Sequence, residues 1–255
     1  MRFADVLRGE IVKVCTYRAL ILTILASIIL TLAYCILDAG PELRFSTPQT
    51  AGVYAMANLS FFAAIAGVLI ASSEYAGGQL TATALAVPRR GKVLAAKLVL
   101  SAIITAGLGL VLAVYIATIT QAPLGDQSVY ATGTANTLLS SLALAIASWI
   151  GVGIISTSLA FIIRSQTIAL AAMIVLAFGG TPLMIALPVF QYLPTNAGVL
   201  MYIDRENQTS DWLSPPDITV LAAAITLAIW CIAAVTAATI ALTRRDIGAR
   251  QAAVE

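Results

Sequence analysis

The chain has 255 residues, of which 60% are hydrophobic and only 10% charged; its mean hydropathy is +0.96 and its net charge +2. A soluble domain carries about 25% charged residues, so this composition excludes a water-soluble protein and predicts one embedded in a membrane. The small net charge gives no reason to expect nucleic-acid binding. The sequence contains no histidine, which removes the commonest metal ligand and the usual proton carrier at neutral pH. We therefore expect no metal or cofactor site on this chain.

Residues 1–18 are too charged to cross a membrane, since they include Asp5, Glu10 and Lys13. Charged residues at these positions also argue against a cleavable signal peptide. The apolar residues of this segment recur near one helical face, at Phe3, Leu7, Ile11 and Val14. Such a pattern predicts a helix that lies in the membrane interface. A flexible tail with chance periodicity is the alternative.

Six apolar stretches follow, and about twenty apolar residues suffice to cross a bilayer core. They lie at about 19–37, 50–72, 98–120, 135–163, 167–187 and 218–243. The sequence therefore predicts an all-α, polytopic membrane protein with six transmembrane helices in one domain, residues 19–255. Gly179 to Pro182 predict a break in the fifth span. Pro188 to Met201 are apolar but too few to cross, which predicts a re-entrant segment before the last span.

The basic residues predict the orientation. If both termini are cytoplasmic, the loops on that side contain twelve of the fourteen lysines and arginines, and only Arg44 and Arg205 lie outside. This asymmetry follows the positive-inside rule and predicts a multi-pass protein of the cell membrane. None of the predicted spans contains an ionisable Asp, Glu, Lys or Arg, which argues against a proton-coupled transporter.

The predicted cytoplasmic loop 73–97 is rich in positive charge. Within it, residues 79–87 contain good helix formers, and Pro88 ends the helix because it lacks an N–H group. A loop of this kind either only fixes the topology or binds a partner. The second interpretation is supported by a resemblance. The set Glu74-Tyr75, Gly78-Gln79-Leu80, Leu85, Pro88-Arg89-Arg90 and Lys97 resembles the signature of type-2 ABC exporter permeases.

The resemblance implies that this loop forms a coupling helix, which docks on a separate ATPase subunit. Glu74 and Tyr75 would end the second span and brace the loop, which continues through Gly78. Leu80 and Leu85 would be apolar anchors in a groove of the ATPase. Pro88 and Arg89 would fix the exit of the loop. The chain departs from the family pattern at Ala76, where a basic residue is common, and at Gln79, where threonine is common.

The resemblance also implies the partners. Two ABC ATPase subunits would bind ATP and magnesium, and a second permease subunit, identical or closely related, would complete the pathway among the membrane lipids. This chain lacks a Walker A motif, so we do not expect it to be an enzyme. The apolar spans favour an amphiphilic substrate such as a peptide antibiotic, a drug or a lipid. A membrane anchor or assembly protein without transport activity, and a passive facilitator, are the alternatives.

Overall fold

The computed structural model describes residues 3–38, 52–76, 90–203 and 218–251. All the regular elements in these ranges are helices. They are α1 (Phe3–Thr16), α2 (Arg18–Asp38), α3 (Val53–Asn58), α4 (Phe61–Ala76), α5 (Arg90–Ile119), α6 (Val129–Thr132), α7 (Ala135–Ile163), α8 (Gln166–Ala186), α9 (Pro194–Leu200) and α10 (Val220–Gln251). Short 3-10 helices at Ala122–Gln127 and Pro188–Tyr192 precede α6 and α9.

Within the described ranges, five helical stretches are long and apolar enough to cross a membrane. They are Arg18–Leu37, Val53–Ser73, Gly91–Ile119, Ala135–Ile163 and Val220–Thr243. The part of the chain that the structure describes is therefore all-helical, and its apolar helices are those of a membrane-embedded protein, as predicted. The fifth predicted span, 167–187, coincides with α8. The described side chains of α8 form only the shorter apolar stretch Gln166–Ala177, so a sixth crossing stays a prediction.

The structure has helix at both ends of the predicted coupling loop 73–97. Helix α4 continues to Ala76 and α5 begins at Arg90, which leaves residues 77–89 between them. Lys92 and Lys97 suggested a loop because they are charged, but lysine is a good helix former. Lys97, which the prediction placed in the loop, belongs to the helical stretch Gly91–Ile119. That stretch has 29 residues, more than the roughly twenty needed to cross a bilayer core, so the absence of ionisable residues from the spans stays a prediction.

Two further boundaries differ from the prediction. Helix α8 is continuous through residues 179–182, where we expected a break. Glycine and proline are tolerated in membrane helices because neighbouring groups can satisfy the backbone they free. Helix α10 has 32 residues and continues to Gln251, past the predicted end at Thr243. Residues 188–201 form a 3-10 turn and α9, most of whose residues are buried; their re-entrant position in the bilayer stays a prediction.

The second predicted span is divided at Leu59 and Ser60, where neither glycine nor proline occurs. In an uninterrupted helix the amide of Ser60 would bond to the carbonyl of Met56. Instead, the amide of Ser60 donates to the carbonyl oxygen of Ala57, at 3.3 Å. The indole Nε1 of Trp149, on α7, donates to the Met56 carbonyl at 3.1 Å. The break therefore coincides with a side chain inserted into the hydrogen-bond ladder, which is a known cause of kinks.

Helix α7 also contacts α4, the part of the second predicted span that follows the break. The hydroxyl of Thr157 donates to the carbonyl of Gly67, on α4, at 3.0 Å. A Cβ atom added to Gly67 would lie 2.5 Å from the carbonyl oxygen of Gly153, so these two helices touch through their backbones. Trp149, Gly153 and Thr157 recur every four residues and share one face of α7. Small residues allow this close packing in membrane proteins.

Candidate functional site: a buried ion pair that joins three helices

Lys97 is the only lysine among the fully buried side chains of the described residues, with an exposed fraction of 0%. It lies two turns into α5, and its ammonium group contacts three of the described residues. Nζ is 2.8 Å from Oε2 of Glu10. It also donates to the carbonyl oxygen of Ile70 at 2.9 Å and to the hydroxyl of Ser73 at 3.3 Å. A lysine has three donors, so this environment satisfies a charge that would otherwise be very costly to bury.

Glu10 lies on α1 and is equally inaccessible, with 3% of its surface exposed. Its second carboxylate oxygen, Oε1, accepts a hydrogen bond from Lys13 at 2.7 Å. Burial raises the pKa of the Glu10 carboxyl, but the charges and hydrogen bonds of Lys97 and Lys13 more than offset this, so the pKa lies below the ordinary value of 4.5. Glu10 is therefore ionised at neutral pH and neutralises Lys97 directly.

Apolar contacts surround the ion pair. Val6, one turn before Glu10 on α1, packs with Val93 and Ala96 of α5 in a small core of its own, flanked by Leu7. This packing holds α1 against α5 on one side of the charges. The buried face of α1 thus contains Val6 and Glu10. Phe3 and Ile11, which belong to the predicted apolar face, are instead exposed in the structure, by 40% and 42%.

The described partners of Lys97 come from two other helices. Glu10 belongs to α1, Ile70 and Ser73 to the last two turns of α4, and Lys97 itself to the start of α5. One side chain therefore joins the end of α4 to the beginning of α5, on either side of residues 77–89. Buried ion pairs contribute little net stability, but removing one partner is strongly destabilising. The arrangement is suited to holding helices in register rather than to bond-breaking chemistry.

The predicted coupling residues are only partly covered by the structure. Glu74 and Tyr75 are in the last turn of α4, directly after Ser73, and their side chains lie outside what the structure describes. Gly78, Leu80, Leu85, Pro88 and Arg89 also lie outside the described residues. Their contact with an ATPase stays a prediction.

Sequence reasoning did not identify Glu10 and Lys97 as a pair. Lys97 entered only as the end of a motif, and Glu10 only as a charge that excludes a span. One signal was available, because Lys97 has three apolar or small residues on each side, LAA before it and LVL after it. A lysine in such a setting requires a counter-ion, but the sequence alone does not say which acid supplies it.

Among the described residues, no group of three His, Cys, Asp or Glu side chains is placed to hold a metal ion. No protein-family model matches the sequence, and a comparison with curated proteins finds no significant relative.

Proposed function

We propose that this chain is the membrane-spanning permease subunit of an ATP-driven exporter of the type-2 ABC class. A separate ATPase subunit would supply the energy and dock on residues 77–89. The proposal starts from the resemblance of residues 74–97 to the coupling loop of that family. The observation that carries it further is the contact of Lys97 with Ile70, Ser73 and Glu10.

The physical reason concerns the transmission of force. A segment that receives a push from a partner can move the spans only if both of its ends are fixed to the bundle. Lys97 supplies such a fixed base, because it ties the last turns of α4 to the first turns of α5 in the protein interior. A loop that served only to set the topology would need positive charge at the surface, but it would not need a buried lysine with a satisfied hydrogen-bond shell.

The remaining parts of the proposal follow the family. Two permease chains would pair, identical or closely related, with two ATPase subunits that bind ATP and magnesium. Both termini and residues 77–89 would face the cytoplasm, across six spans with a re-entrant segment at 188–201. An amphiphilic substrate would cross between the two permease chains. An anchor without transport activity and a passive facilitator are the competing functions, and neither requires an ATPase partner.

The first experiment is purification of the tagged chain from its native membrane in mild detergent. We expect an ATPase subunit with a Walker A motif to co-purify in equal number. Purification of a folded chain alone, with transport activity retained, would contradict the proposal.

The second experiment tests the docking segment. Leu85→Asp places a charge where an apolar contact with the ATPase is expected, and an unpaired charge in a desolvated interface is strongly unfavourable. We expect loss of the ATPase from the complex with normal membrane insertion. Gln127→Asp, at an exposed position between α5 and α7, adds the same charge and is the control. Equal ATPase recovery from both variants would mean that residues 77–89 do not dock.

A further inference from the structure

Helix α1 has three faces with different surroundings. Its buried face carries Val6 and Glu10, as described above. Roughly 160 degrees around the helix, at 3.6 residues per turn, lies an outer face that is mostly apolar yet exposed. It consists of Ile11, Cys15 and Val12, with Arg8 among them, and Val12 borders the polar face. Val12 is 60% exposed. The third face carries Asp5, Gly9 and Thr16 and is exposed and polar.

The position of α1 along the chain limits what can cover this outer face. A single residue, Tyr17, separates α1 from α2, and the apolar stretch of α2 begins at Arg18. Backbone hydrogen bonds from Tyr17 to Val14, and from Leu20 and Ile21 to Tyr17, fix the corner. The end of α1 is therefore held at the N-terminal end of a helix that is long and apolar enough to cross a membrane, which is where a bilayer surface would lie.

The rotation of α1 about its own axis is fixed as well. Glu10 bonds to Lys97, and Val6 packs on Val93 and Ala96, so the buried face cannot turn away from α5. These contacts orient the outer face away from α5. The surroundings of the outer face must suit exposed aliphatic side chains and also two exposed guanidinium groups, those of Arg8 and Arg18.

We propose that the outer face of α1 binds anionic lipid headgroups at the bilayer surface. Its aliphatic side chains would enter the boundary between headgroups and acyl chains, and Arg8 and Arg18 would pair with lipid phosphates. Basic amphipathic helices bind membrane surfaces by this combination of apolar burial and charge attraction. The buried Glu10–Lys97 pair then makes this lipid-bound helix a fixed part of the bundle. The inference does not depend on an ATPase partner.

Cys15 is a natural labelling site for a fluorophore on the outer face, because it is exposed there, whereas Cys35 is buried. The full chain, with Cys35→Ala and Cys231→Ala, is reconstituted in nanodiscs of phosphatidylcholine alone or mixed with phosphatidylglycerol. An environment-sensitive fluorophore is attached at Cys15. The control carries the fluorophore on the polar face, at Thr16→Cys with Cys15→Ser. Brominated forms of each lipid report which lipid contacts the fluorophore.

We expect the emission at Cys15 to shift to shorter wavelength and to be quenched more by brominated phosphatidylglycerol than by brominated phosphatidylcholine. The fluorophore at position 16 should remain in water. Each arginine near an anionic surface contributes about 1 kcal/mol, so Arg8→Gln and Arg18→Gln should each lower the enrichment of phosphatidylglycerol by up to about fivefold. Raising the salt from about 0.1 M to 1 M shortens the screening length from about 10 to 3 Å and should remove the enrichment.

Two outcomes would overturn the inference. Quenching at Cys15 by neither lipid would show that the outer face does not contact the bilayer. Equal quenching by both lipids would show contact without preference for anionic headgroups. Both outcomes leave the proposed export function untouched, because the nanodiscs contain no ATPase, and failure to recover an ATPase would leave this test unchanged.

Discussion

The indole of Trp149 donates to the carbonyl of Met56, 93 residues earlier in the chain, at a donor–acceptor distance of 3.1 Å. Both residues are fully buried, and the bond occurs where the helical ladder of the second span is interrupted. The break is thus set by tertiary contact and not by a local helix breaker.

Trp149→Phe should therefore destabilise the protein more than loss of a surface contact would. The substitution keeps most of the ring but leaves a buried carbonyl without its indole donor, which costs about 1–3 kcal/mol. Chemical unfolding in detergent micelles measures the difference. Trp230→Phe is the control, because Trp230 also donates to a backbone carbonyl, that of Tyr192 at 2.8 Å, but is 41% exposed. Equal losses in the two variants would contradict the assignment.

Gly67→Ala should separate α4 from α7. Its new methyl group would lie 2.5 Å from the carbonyl oxygen of Gly153, and backbone atoms cannot move aside as a flexible side chain can. Overpacking of this kind costs about 1–3 kcal/mol. Gly107→Ala is the matched control, because a Cβ atom at Gly107 would have no neighbour within 4 Å and alanine is favoured over glycine in helices. We expect the melting temperature to fall for the first variant and to stay or rise for the second.

A double-mutant cycle on Glu10 and Lys97 should show strong coupling. Glu10→Gln removes the carboxylate that lies 2.8 Å from Nζ of Lys97, and Lys97→Met leaves the buried Glu10 carboxylate with only Lys13 as a described cation. Breaking a buried pair in this way typically costs about 3–5 kcal/mol. The double variant, which buries no charge at either position, should be more stable than additivity predicts. Arg8→Gln, on the exposed side of α1, is the control. Additive losses would show that the two charges do not depend on each other.

Acid should weaken the attachment of α1. The pKa of Glu10 is lowered in the folded protein, so its ionisation contributes stability above the ordinary value of 4.5, and this contribution is lost as the pH falls through the lowered pKa. We expect the difference in unfolding free energy between the wild-type chain and Glu10→Gln to be constant above about pH 5 and to shrink as the pH falls well below it. A difference that does not change with pH would mean that the Glu10 charge contributes nothing.

The parts of the fold that could be predicted are those encoded locally. The long apolar runs of α2 and α7 gave their boundaries to within a residue, because a bilayer core sets the length of such a run. The start of α5 was missed because Lys92 and Lys97 resemble loop residues until their environment is known. The counter-ion of Lys97 is 87 residues away, and the cause of the break at Leu59 is a tryptophan on another helix. Neither relationship leaves a periodic signal in the sequence.

The order of Glu10 and Lys97 along the chain has a consequence for biosynthesis. A ribosome completes α1 and α2 well before it reaches α5, so the carboxylate is already in place at the membrane surface when the lysine emerges. A lysine near the middle of a helix opposes insertion by about 2.5–3.5 kcal/mol, and Lys97, two turns from the start of α5, meets part of that barrier. The earlier helix therefore serves as a receptor for the later one, and deletion of residues 1–16 should impair the insertion of α5 more than that of α7.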